Sequence, residues 1–229
     1  RSTTPHLDRL GRENVLFWNA VATWTKTNQS FAAILTGKYT YSTGIAEHVA
    51  AFMPRHNFMI AEILYEHGYE TAAFVSNANL AKYFDFHDGF QHYAELWKRE
   101  RGPAREHGGT SWYDAAKVTR EATAWLQKNR RIPFFLWVHY IDPHTPYTPH
   151  SPYREMILSD DHYAQYEKID QSKIKVTHRL GEETDPDYYV AQYDGEIRYM
   201  DDQIQIFLDV LRESGIEKNT LLIFTSDHG

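Results

Sequence analysis

The run Phe134-Phe135-Leu136-Trp137-Val138-His139-Tyr140 constrains the fold more than any other stretch of this chain. It is apolar without alternation, the pattern of a strand buried on both faces, as in a parallel sheet covered by helices. Other apolar runs repeat the theme. Val15 to Ala22, Thr71 to Val75 and Leu221 to Thr225 each read as a strand. Helical patterns lie between them. Thr3-Thr4-Pro5 opens a short helix with Leu7 and Leu10 on its apolar face, and Ser30 to Leu35 forms another, closed by Gly37. Met59, Ile60, Ile63 and Leu64 recur at helical spacing before Gly68. Ser111 is read as the cap of an amphipathic helix carrying Ala115, Val118, Ala122, Trp125 and Leu126. The last helix carries Ile197, Met200, Ile204, Phe207, Leu208 and Leu211, and Gly215 follows it. Strands separated by helices need crossover connections. The predicted fold class is therefore α/β, a mostly parallel sheet with helices on both faces.

At 229 residues the chain suits one domain with a sizeable core and is short for two. The formal net charge of −7, with no stripe of Lys and Arg, excludes the electrostatics that nucleic-acid binding requires. The absence of Cys excludes disulfides, thiolate metal ligands and a cysteine nucleophile. No apolar stretch approaches the roughly 20 residues that span a bilayer. Arg1 does not open a signal-peptide pattern. The segments 78–110 and 145–185 follow neither period and read as long loops, which are uncommon unless they serve a site.

Ligands of open α/β sheets bind beyond the carboxyl ends of the strands. Three polar clusters fall at such ends here. Thr23 to Ser30 follows the first apolar run and leads into a helix, whose N-terminus would favour an anion. Asp142-Pro143-His144-Thr145-Pro146-Tyr147 follows the Phe134–Tyr140 run, and Asp227-His228-Gly229 follows the last one. Asp and His are suitable ligands for divalent metals. Each cluster also has a plainer reading: an N-cap for the first, turns for the other two, and a packed core residue for His139. Their shared edge is what points to a metal-assisted site for an anionic ester.

Four segments spanning nearly the whole chain resemble the sulfatase N-terminal domain of the alkaline-phosphatase-like superfamily. They are Thr3 to Leu10 with Phe17-Trp18-Asn19-Ala20, the stretch ending Ile34-Leu35-Thr36-Gly37, Phe134 to Tyr147, and Tyr193 to Asp201 with Asn219 to Gly229. The second is similar to the family signature C/S-x-P-S-R-x-x-x-L-T-G. Counting back from Gly37, its nucleophile position falls on Thr27. Its Pro and Arg positions hold Gln29 and Phe31, and Ser30 agrees.

The resemblance implies a metal-dependent hydrolase of sulfate or phosphate esters. In it Thr27 attacks, His144 contacts the ester oxygen or protonates the leaving group, and Asp227 and His228 hold a divalent cation (Ca, Mn or Zn). Ser30, His139 and Asp142 fall at substrate-binding positions. Formylglycine, which the family makes from Cys or Ser, is not expected at a threonine. Threonine nucleophiles belong to the phosphodiesterases and phosphoglycerol or phosphoethanolamine transferases of the superfamily, so a transferase is the first alternative. A non-catalytic binding homologue is the second. The expected partner is a small-molecule or glycan ester. The resemblance leans toward a periplasmic or extracytoplasmic setting, with membrane attachment only through sequence upstream of Arg1. Because the family's other aspartate ligands would precede Arg1 and the chain stops at a strand tip, residues 1–229 are read as a partial catalytic domain. That domain would lack its first strand and C-terminal subdomain, and residues 1–229 alone are expected to be inactive.

Overall fold

The computed structural model describes residues 2–45, 51–99, 110–112, 115–145, 147, 151–153, 155, 168–174 and 179–229. Parts of both expected loops, at 100–109, 146, 148–150, 154, 156–167 and 175–178, lie outside the described residues. The helices are α1 (Pro5–Glu13), α2 (Thr27–Thr36), α3 (Thr40–Thr43), α4 (Ile60–Glu66), α5 (Ala115–Asn129) and α6 (Pro186–Glu213). The strands are β1 (Glu70–Val75), β2 (His92–Glu95), β3 (Trp97–Arg99), β4 (Thr110–Trp112) and β5 (Phe134–His139). The chain divides into two compact units. One comprises residues 1–16 and 141–208, the other 17–140 and 209–229.

The second unit holds the sheet, in the order β2-β1-β5 with both pairings parallel. β1 is central, and Thr71 to Val75 are buried. Strand alternation splits its side chains between two faces. Ala73 and Val75, with Tyr93 of β2, pack against Phe31, Ala32 and Leu35 of α2 and Ala61 of α4. Phe135 and Trp137 of β5 close that layer. α5 packs on β1 and β5 and buries Val118, Ala122 and Leu126. The sheet is thus helix-covered, as the sequence predicts. α2 ends at Gly37, whose left-handed φ of 65° lets its N–H bond Ala33 O at 2.9 Å, a conformation open to glycine at little cost.

The structure corrects four sequence expectations. Val15 to Ala22 and Leu221 to Thr225 form no strand, and their apolar side chains are largely exposed, Trp18 at 87% and Leu221 at 86%. A strand needs a ladder partner, and among the described residues neither run has one. Among the described residues β5 is bordered on one side only, and most of it is half-buried rather than enclosed. Ser111 lies in β4, which pairs antiparallel with β3, and the helix begins later, at Ala115. The presumed loop 78–110 contains β2, too short to show a period. Among the described residues no helix is long and apolar enough to cross a membrane.

Candidate active site

α2 begins with an extended Lys26 at its N-cap and buries the four residues of its first turn, Thr27, Asn28, Gln29 and Ser30. On a helix, positions three apart share a face. Thr27 and Ser30 are such a pair, and both meet the segment at 227–228. The Thr27 Oγ1 lies 3.3 Å from His228 Nε2. Ser30 Oγ donates to the Asp227 carbonyl at 2.5 Å. The His228 N–H donates to Asp227 Oδ1 at 3.0 Å, and Asp227 Oδ2 stands 3.5 Å from His228 Nε2. Four residues singled out in the sequence are therefore brought together by one turn of helix and one short segment.

Asn28 makes different contacts. Its Nδ2 donates to Asn79 O at 2.9 Å and Ala51 O at 3.4 Å, and its Oδ1 accepts from the Ala51 N–H at 3.3 Å. Gln29 is buried, and its Oε1 has no hydrogen-bond partner among the described residues. His139, the last residue of β5, is buried with its ring centroid 5.2 Å from that of Phe31, one turn along α2 from Thr27. Asp142 and His144 belong to the other unit. There the His144 N–H closes a turn onto Ile141 O at 2.8 Å, and its exposed ring approaches Thr145 O through Nδ1. The roles that the resemblance gives these two residues rest on sequence.

Thr27 Oγ1, His228 Nε2 and Asp227 Oδ2 follow one another at 3.3 and 3.5 Å. Neighbouring ligands of an octahedral cation bound at 2.1–2.4 Å lie about 3.0–3.4 Å apart. The first separation falls in that range and the second just beyond it, and a hydroxyl, an imidazole and a carboxylate are donor types that suit a divalent cation.

One cluster was invisible in the sequence. Ligand atoms of His6, Asp201 and Asp202 lie within 4.8 Å of one another, near enough to hold a cation. Every carboxylate oxygen there already has a donor. Asp201 takes the backbone N–H groups of His6 and Leu7, both at 2.9 Å. Asp202 Oδ1 pairs with His6 Nε2 and Arg198 Nε, both at 3.1 Å, and Oδ2 accepts from Tyr153 at 2.9 Å. Burial first, and then this bond to Asp202, pushes the Tyr153 phenol above its ordinary range. The cluster works as a clasp that caps α1. No local signal could have found it, because His6 and Asp201 are 195 residues apart.

The sequence profile of the sulfatase family matches residues 1–229. The ulvan-active sulfatase of Formosa agariphila is 25% identical over 99% of this chain and 45% of its own length. The human N-sulphoglucosamine sulphohydrolase is 24% identical over 99% of this chain and 46% of its own. Among solved structures, the phosphonate monoester hydrolase of Agrobacterium radiobacter superposes with a TM-score of 0.72 at 20% identity, over 98% of this chain and 57% of that one. The chain spans about half the length of the relatives it matches.

Proposed function

This chain belongs to the sulfatase family, and from that premise we propose that it forms the reacting core of a metal-dependent hydrolase of sulfate or phosphate esters with Thr27 as the attacking group. The observation that carries the reading is the contact of 3.3 Å between the Thr27 hydroxyl and His228 Nε2 at a buried helix N-terminus. The Thr27 hydroxyl gives its proton to solvent as its oxygen attacks sulfur or phosphorus, the ester's alcohol departs as its bond to that centre breaks, and water then releases the group from Thr27. The α2 N-terminus favours the negative charge of the ester, since its first N–H groups have no partner within the helix. Ser30 holds the Asp227 backbone so that carboxylate, imidazole and hydroxyl stay in register. A divalent cation held by Asp227 and His228 would add charge stabilisation and lower the pKa of the attacking hydroxyl. The proposed substrate is an anionic ester on a small molecule or a glycan. In support, one relative is named for N-sulphoglucosamine and another for ulvan.

The test, on the complete product of the gene, compares hydrolysis of 4-nitrophenyl sulfate and bis(4-nitrophenyl) phosphate with Ca, Mn and Zn, beside a Thr27→Ala variant. The expected result is cation-dependent turnover of one ester, lost in Thr27→Ala by a factor on the order of 10³ or more, as when an attacking group is removed. The faster ester identifies the substrate class. Turnover that survives Thr27→Ala overturns the assignment of the nucleophile.

A further inference from the structure

Phe52 and Tyr83 are 50% and 69% exposed, with ring centroids 4.9 Å apart. Phe84 packs against both, at 5.7 and 5.1 Å, and also against the buried core, which fixes the platform from below. The segment that carries Phe52 and the 3-10 turn Lys82–Phe84 join where the Met53 N–H donates to Phe84 O at 2.9 Å. A cleft of about 460 Å³ opens beside that junction, lined by Arg55, Asn57, Glu62, Asp85, His87 and Asp88 among others. The His87 Nδ1 is buried with no hydrogen-bond partner among the described residues.

Rings exposed as a group beside a polar cleft call for an occupant, because water solvates ring faces poorly and monomeric surfaces rarely cluster them without use. The chemistry of the lining selects the class. The cores of protein interfaces are depleted in Asp and Glu, which abound here. Three carboxylates against one guanidinium repel phosphate and sulfate, which excludes a nucleic acid or a sulfated ring at this place. A neutral pyranose fits both halves of the surface. Its C–H face stacks on an aromatic ring, and its hydroxyl edges bond carboxylates, amides and imidazole nitrogen.

The platform is also tied to the start of α2. Asn28, next to Thr27, bonds Ala51, next to Phe52. Two Cα steps of 3.8 Å and one side-chain span put the Phe52 backbone on the order of 10 Å from that of Thr27, about the length of two sugar units. We propose that this cleft and the neighbouring Phe52–Tyr83 pair form a carbohydrate subsite for an uncharged sugar ring in a substrate chain whose ester-bearing unit reacts at Thr27. This inference deepens the function proposed above and rests on it.

Saturation-transfer NMR and calorimetry on the full chain would use three uncharged probes: cellotetraose, laminaritetraose and N-acetylchitotetraose. At least one is expected to bind, and Phe52→Ala/Tyr83→Ala, with an unchanged circular dichroism spectrum, is expected to weaken it by at least tenfold. Asp88→Asn should weaken it severalfold without disturbing the aromatic platform. No binding by any probe overturns the proposal, as does binding that both variants retain in full. Hydrolysis of 4-nitrophenyl sulfate by wild type and Thr27→Ala is read separately. Thr27-dependent hydrolysis without sugar binding sinks the subsite alone, and Phe52-dependent sugar binding with Thr27-independent hydrolysis sinks the proposed function.

Discussion

Asp201 holds the N-terminus of α1 from across the sequence, and its removal should release that helix. The residue is fully buried, and its two oxygens accept the N–H groups of His6 and Leu7. Thr4, the residue at the N-cap itself, supplies no cap and spends its hydroxyl on Asp8 at 3.0 Å. Loss of a capping side chain costs about 0.5–2 kcal/mol, and each donor left unsatisfied costs about 1–3 kcal/mol where water is excluded. Both bonds are only part-buried, so water offsets some of this. For Asp201→Ala we expect a loss of roughly 2–4 kcal/mol, and about half that for Asp201→Asn, which keeps one acceptor oxygen. The assay is native-state hydrogen exchange at His6 and Leu7. At 1.4 kcal/mol per tenfold change, protection should fall by roughly 30- to 1,000-fold in Asp201→Ala. Protection within threefold of wild type would refute the capping role. Ca, Mn and Zn should leave α1 protection unchanged, since the oxygens of Asp201 and Asp202 are already bonded. Cation-induced protection that disappears in Asp202→Asn would show that the clasp is a metal site instead.

Ser30→Ala should lower stability by about 1 kcal/mol and Thr27-dependent hydrolysis by roughly tenfold, because the Asp227 backbone loses its tether to α2; equal rates in the two proteins would mean that the tether does not position the pair. At Gly89, where φ is 79°, an added Cβ would sit 2.2 Å from the Glu62 backbone N. Gly89→Ala should therefore cost more than about 3 kcal/mol in denaturant unfolding, and a cost under about 1 kcal/mol would deny the close approach. Burial, with the Glu95 charge adding to it, pushes the Tyr93 phenol well above its ordinary range, and the hydroxyl donates to Leu80 O at 2.6 Å. Its protonated form contributes stability fully below the unfolded-state value of about 10, and that contribution is lost as pH rises toward the folded value. The stability gap between wild type and Tyr93→Phe should be constant below about pH 9 and shrink above pH 10; parallel curves through the alkaline range would contradict the buried phenol.

The elements legible in the sequence were those whose pattern reports their own burial. α5 and α6 each carry a period long enough to identify a core-facing side, and β1 is an apolar run buried on both faces. α4 is a helix as its spacing predicts, yet Ile60 and Ile63 of its apolar set are exposed and Ala61 faces the core. The runs at Val15–Ala22 and Leu221–Thr225 have the same apolar character, yet the structure leaves them unpaired. Apolar sequence records what a segment would bury, whereas a strand exists only where a neighbour offers a ladder. β2 failed in the opposite direction. Its four residues expose His92 and Glu95 and bury Tyr93, so it pairs with β1 without any pattern of its own.

The candidate site was legible for a different reason. Its chemistry sits at the tips of elements, where polar residues interrupt apolar runs, and Thr27 could be located by counting back from Gly37. Counting could not assign the division of labour inside the first turn of α2. Thr27 and Ser30 share a face and address His228 and Asp227, while the intervening Asn28 binds the loops at Ala51 and Asn79. The turn that carries Thr27 is thereby the turn that anchors the segment leading to Phe52. A change at Asn28 should then disturb both ends at once, whereas Thr27→Ala should remove the attack and leave the platform in place. That separation is what makes the two proposals independently testable within one helix turn.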